Sequence, residues 1–104
     1  MSTFKLTKKD NNHYLAEGDL TFFTINKKTI HSFEFLRSVD ELCIDLTKIN
    51  RADSAGLALL IEWIKHSKLY RTHLSFINIP EQLLILARLS GFDLNGFDSS
   101  QLLT

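Results

Sequence analysis

The stretch LCIDLTKINRADSAGLALLIEWIKHSKL, running from Leu42 to Leu69, decides the fold. Its opening run, Leu42-Cys43-Ile44-Asp45-Leu46, is apolar with one acid near its end. That character predicts a strand covered on both faces, as at the centre of a parallel sheet. Asn50-Arg51-Ala52-Asp53-Ser54-Ala55-Gly56 then reads as a polar loop with two N-cap candidates, Asp53 and Ser54. A helix is expected from Ala55 to Leu69. At about 100° per residue, Leu57, Leu60, Ile61 and Ile64 gather on one face and form a core stripe. The opposite face carries Ala55, Leu59, Glu62, Trp63, His66 and Tyr70. A helix packed on a sheet needs only one apolar face, so Leu59 and Trp63 are either covered by a neighbouring element or exposed for a partner. Trp and Tyr among small polar companions have the composition of an interface hot spot.

Outward from this segment, Thr72-His73-Leu74-Ser75-Phe76-Ile77-Asn78 alternates polar with apolar and predicts another strand. Pro80 opens a second helix at its first position, where a missing N–H costs nothing. Glu81 suits the positive end of that helix, Leu83, Leu86 and Ala87 form its inward stripe, and Gly91 stops it. Towards the N-terminus, Phe4 to Leu6 and His13 to Gly18 read as a hairpin around the polar turn Lys8 to Asn12. Thr21 to Arg37 is expected to be largely helical, with Ile30, Phe33 and Leu36 at helical spacing. A short edge strand is expected near Leu94 to Phe97. The order of elements predicts an α/β fold, a mixed sheet of about four to five strands with helices packed against it.

The chain has 104 residues, one domain's worth, and 1–104 is expected to be a single domain. Twelve Lys and Arg balance twelve Asp and Glu, without the cationic surplus that phosphate binding requires, so no nucleic-acid partner is expected. With 44% hydrophobic and 23% charged residues the chain can bury a core without staples. A lone cysteine, Cys43, forms no internal disulfide and fits a reducing compartment. Met1 to Lys5 lacks the apolar segment of a signal peptide, and the longest near-apolar run, Ala55 to Ile64, is half a bilayer span. These features predict a soluble cytoplasmic protein without direct membrane insertion.

Catalytic chemistry finds little support. His13, His31, His66 and His73 do not form the i, i+4 pair of a helical metal site, and Cys43 has no second thiol for zinc. No glycine-rich phosphate loop is encoded. Neither a metal nor another cofactor is expected, and Cys43 reads as a core hydrophobe inside its strand. Ser54 has two compatible readings. Its hydroxyl can cap the helix. A phosphate there would place nearly two negative charges where free N–H groups and the helix dipole favour anions, changing the surface a partner meets.

Ile44-Asp45-Leu46, followed by Ala52-Asp53-Ser54-Ala55-Gly56-Leu57-Ala58-Leu59-Leu60, resembles the STAS family, the domains of anti-sigma-factor antagonists and their relatives in transporters. The resemblance covers essentially the whole chain and agrees with the element order above. Gly18-Asp19-Leu20-Thr21-Phe22, Ser54 through Trp63, and Asn78-Ile79-Pro80-Glu81-Gln82-Leu83 are similar to the MlaB-like branch, cytoplasmic subunits of Mla phospholipid ABC transporters. Asn26, Lys27, Lys28 and Thr29 depart from the more apolar pattern usual there. The branch implies a non-catalytic subunit that binds and modulates an MlaF-like ATPase and so helps maintain outer-membrane lipid asymmetry. It implies a partner surface of Ser54, Ala55, Leu59, Trp63 and His66, with Asp45, Asp53 and Gly56 organising the loop. The competing branch implies an anti-sigma factor antagonist that captures a kinase and is switched by phosphorylation of Ser54. That branch usually carries a second serine where this chain has Ala55.

Overall fold

The structure, a computed structural model, describes residues 3–26, 29, 34–37 and 39–94. Strands β1 (Phe4–Asp10) and β2 (His13–Leu20) form an antiparallel hairpin, with a bulge between Lys8 and Asp10. A 3-10 turn (Glu34–Leu36) precedes β3 (Glu41–Ala52), α1 (Ser54–Leu69), β4 (His73–Ile77) and α2 (Glu81–Leu89). The strand order is β1-β2-β3-β4, and β3 pairs in parallel with both β2 and β4. This is the mixed α/β sheet expected, with four strands and two helices among the described residues.

Alternation decides which side of the sheet is inside. Leu42, Ile44 and Leu46 of β3 are buried, as are Leu74 and Phe76 of β4, and Ala16 and Leu20 of β2. They meet Leu57, Leu60 and Ile64 of α1 and Leu83 and Ala87 of α2 in one core. Cys43 and Asp45, on the other side of β3, are half-buried, so β3 is sealed on one face and not on both. The strand also extends through Asn50, Arg51 and Ala52, a segment whose side chains read as loop. Its backbone continues to pair with β2, Gly18 opposite Ile49 and Leu20 opposite Ala52. Two register shifts along that pairing accommodate the extra residues.

Both helices end in the same hydrogen-bonded motif. At the end of α2 the Phe92 N–H donates to Ala87 O (2.8 Å) and the Gly91 N–H to Arg88 O (3.0 Å), with Gly91 at φ +80°. At the end of α1 the Thr72 N–H donates to Ser67 O (2.8 Å) and the Arg71 N–H to Lys68 O (3.2 Å). There an arginine, Arg71, occupies the left-handed position at φ 58°. Thr72 is buried and its hydroxyl donates to the carbonyls of Leu36 and Val39, tying this helix end to the 3-10 turn. Pro80 lies one residue ahead of the helix, at the N-cap with ψ 141°, not at the first helical position.

The expected helix from Thr21 to Arg37 does not begin where the sequence placed it. Thr21 to Thr24 form a turn, in which the Thr24 hydroxyl accepts the Thr21 N–H (3.1 Å) and donates to Asp19 O (2.6 Å). Side-chain oxygens of this kind offer the backbone an alternative to a helical ladder. The middle of the segment, including Ile30, His31 and Phe33, lies outside the described residues. So does most of the expected edge strand near Leu94 to Phe97, whose first residue is buried without strand pairing.

Candidate partner-binding site

Asp53, not Ser54, caps α1. Asp53 sits in extended conformation at φ −134°, and its Oδ1 accepts the Ala55 N–H at 2.9 Å. Its C=O accepts the Leu57 N–H (3.2 Å) and its own N–H donates to Leu20 O (3.0 Å). A carboxylate at this position satisfies a free backbone donor and also meets the positive end of the helix dipole. Ser54 is therefore the first helical residue, and it is exposed. Among the described residues nothing hydrogen-bonds its hydroxyl. The expected cap role passes to Asp53, leaving the serine at the surface.

Gly56 is buried against the chain's own strand. A Cβ there would lie 2.4 Å from Leu20 O and 2.8 Å from Leu20 Cβ. The close approach that glycine permits is between α1 and the end of β2, within the chain itself. Asp45 also serves a different place. Its Oδ1 accepts the Thr47 N–H (2.9 Å) at the β3 bulge and the Asn78 side-chain N–H (3.1 Å) beyond β4. It organises the loop ahead of α2, not the one ahead of α1.

The second carboxylate oxygen of Asp53 reaches the turn after β2. Oδ2 accepts the Phe22 N–H at 3.0 Å. Phe22 and Phe23 are 75% and 89% exposed, their rings edge-to-face with centroids 6.0 Å apart. Two consecutive large aromatics this open, on a turn whose backbone is bonded to the residue before Ser54, form an apolar feature of the surface. The sequence reading passed over them because it assigned Thr21 to Arg37 to a helix. The available signal was the threonine on either side, Thr21 and Thr24, which favours a side-chain-closed turn.

The expected outer stripe is a buried one. Trp63 is 1% exposed and Leu59 is fully buried. Phe35 of the 3-10 turn packs edge-to-face on the indole at 5.5 Å, and Phe4 of β1 lies 6.3 Å away. The buried arc of α1 runs through Leu59, Trp63, Gly56, Ser67, Leu60, Ile64 and Leu57. It is rotated by about 70° from the stripe centred on Leu57, Leu60, Ile61 and Ile64. Of the two fates open to Leu59 and Trp63, neighbours of the same chain cover them, so neither can contact another protein. The indole N–H has no hydrogen-bond partner among the described residues. His66 is half-buried, with Nδ1 2.9 Å from Glu62 O, three turns along the helix from Ser54. The exposed side of α1 consists of Ser54, Ala58, Lys65, Lys68 and Leu69, with half-buried Ile61 between Lys68 and Ser54 and half-buried Glu62 and Ala55 at one margin.

Among the described residues no group of three His, Cys, Asp or Glu side chains is placed to hold a metal ion. Cys43, half-buried, lines a shallow open hollow with His13, Glu41, His73 and Ser75 at the opposite end of the parallel strands. The Asp10 carboxyl is held below its ordinary pKa by the Asn12 N–H at 2.8 Å and by the His13 ring at 3.1 Å. That pair belongs to the hairpin turn and not to the Ser54 surface.

The fold is a small α/β domain, a mixed four-stranded sheet with two helices among the described residues, in which an exposed helix start lies next to a turn bonded to its cap. The family model described as "Mlab, STAS domain" matches residues 27–103, most of the chain, and the chain belongs to this STAS_2 family. The comparison with curated proteins gives no match. The family match begins after the aromatic turn, so Phe22 and Phe23 are features of this chain outside the matched segment. No helix among the described residues is long and apolar enough to cross a membrane.

Proposed function

We propose that this chain is a non-catalytic, cytoplasmic STAS subunit that docks on the ATPase of an Mla-type phospholipid ABC complex and modulates it. Membership of the MlaB-type family supports the assignment of partner class. The observation that carries the docking surface is the exposed Ser54 at the first position of α1, one residue after Asp53, whose carboxylate accepts the Phe22 N–H of the exposed aromatic turn. Ser54 and Ala55 supply the polar, small-residue part of the contact, and the two rings supply its apolar part. Leu59, Trp63 and His66 take no part in it. ATP hydrolysis belongs to the partner, and the chain meets the inner membrane only through the assembled transporter, whose work sustains outer-membrane lipid asymmetry.

Affinity purification of the tagged chain from its own cells tests this reading. Stoichiometric recovery of an ABC ATPase with its permease is the expected result. Recovery of an anti-sigma kinase instead, with phosphate incorporated at Ser54 in intact mass spectra, would overturn it in favour of the phospho-switch. That second reading draws on the same exposed hydroxyl, which lies where the helix dipole favours a phosphate.

A further inference from the structure

We propose that the outer edge of β1 accepts an extended, acidic segment of a partner protein as an added strand. β1 is the terminal strand of the order β1-β2-β3-β4, and it is seven residues long. The Asp19 N–H donates to Thr3 O at 2.8 Å, and Phe4 lies opposite Gly18 in the register. In an antiparallel pair, successive residues alternate between bonding the partner strand and pointing their backbone groups away from it. Lys5 and Thr7 therefore bond β2, while the N–H and C=O groups of Phe4, Leu6 and Lys8 point outward. No hydrogen bond among the described residues reaches these outward groups. Such a row of open donors and acceptors is the template on which an extended chain adds to a sheet.

Side chains along the edge define the partner's chemistry. Phe4 and Leu6 are half-buried and pack against the core, so the helix side of the edge is apolar. Lys5, Lys8 and Lys9 are exposed, and among the described residues none of them forms an ion pair. Glu17 of β2 stands opposite Lys5 without pairing to it. Asp10, the one acid of the strand, is engaged by the Asn12 N–H and the His13 ring. Lys5 lies on the side away from the helices, as does Lys9, which lines a hollow there with Leu15 and Asp45. Cross-strand neighbours of opposite charge stabilise a pair and like charges destabilise it. Pairing β1 with a second copy of itself would set the three lysines of each copy along one seam. A strand with acids opposite Lys5 and Lys9, and apolar residues opposite Phe4 and Leu6, matches the edge on both sides. The lysines that deny the edge to another copy of this chain thus select an acidic partner. The edge shares no residue with the surface proposed for the ATPase.

The test is a heteronuclear NMR titration of the whole chain with two end-blocked peptides, each as long as β1. One alternates valine with glutamate and the other alternates valine with lysine. The glutamate peptide is expected to shift the β1 amides and to slow hydrogen exchange at Phe4, Leu6 and Lys8. Lys5 and Thr7, already bonded to β2, should keep their exchange rates. Its affinity should exceed that of the lysine peptide at least about tenfold, and should fall as salt is added. Lys5→Glu with Lys9→Glu, both at exposed positions, should reverse the preference between the peptides. No response of β1 at millimolar peptide, shifts confined to another surface, or equal binding of the two peptides would overturn the proposal. So would a dependence of the free chain's β1 shifts on protein concentration, which would place a second copy on the edge.

Discussion

Two aromatic clusters lie along the same helix and meet opposite fates. Trp63, in the middle of α1, is enclosed by Phe35 and Phe4, whereas Phe22 and Phe23, at the start of α1, stand in solvent. The indole is covered because the hairpin strand and the 3-10 turn bring apolar rings over it. The two phenylalanines stand open on a turn closed by hydroxyl and carboxylate hydrogen bonds. Aromatic residues near a family motif therefore do not identify the contact surface by their type. What covers them decides.

The largest effect that separates the two clusters is expected from Trp63→Ala, which should lower stability by about 3–5 kcal/mol in chemical denaturation followed by circular dichroism. Phe23→Ala in the same experiment should change stability by no more than about 0.5 kcal/mol, because an exposed ring contributes little burial. Equal losses from both would erase the contrast. Next in size is Gly56→Ala. Alanine favours a helix, but its Cβ would sit 2.4 Å from Leu20 O, so the N-terminal turn of α1 must move away from β2. A net loss of about 1–3 kcal/mol is expected, measured as a fall in the denaturation midpoint.

Arg71→Gly should act in the opposite direction. Arg71 holds the left-handed position that Gly91 holds in α2, and relieving that strain should raise stability by about 0.5–1 kcal/mol. The smallest effect concerns the far hairpin. A depressed Asp10 carboxyl favours the folded state at pH above the ordinary aspartate range, and this contribution is lost as pH falls through the lowered value. A carbon-13 titration should show Asp10 titrating below 3.8, with its midpoint rising when His13 is replaced by alanine.

Much of the fold was legible in the sequence because it rests on local periodicity. Leu42 to Leu46, the helix to Leu69, the alternation from His73 to Ile77 and the Gly91 stop each carry their own signal, and the structure places them in that order. The site was less legible, for two physical reasons. The face of α1 cannot be fixed from α1 alone, since Phe4 and Phe35 come from distant parts of the chain and extend the buried arc beyond a single stripe. The cap was ambiguous because Asp53 and Ser54 are adjacent and both are good caps. The choice was made by the Phe22 N–H and the Leu20 carbonyl, partners supplied by another element. The same long-range tie converts Thr21 to Thr24 from an expected helix start into a turn.

The enclosed indole has one practical consequence. Trp63 is the only tryptophan in the chain and lies about two and a half turns, about 13 Å, beyond Ser54 along α1. Its emission should sit at short wavelength while the interior is dry and move to the red when the chain opens. Contact at the serine end should leave that colour unchanged. The protein thus carries a native fluorophore that distinguishes, in a single cuvette, a variant that has lost its partner from one that has lost its shape.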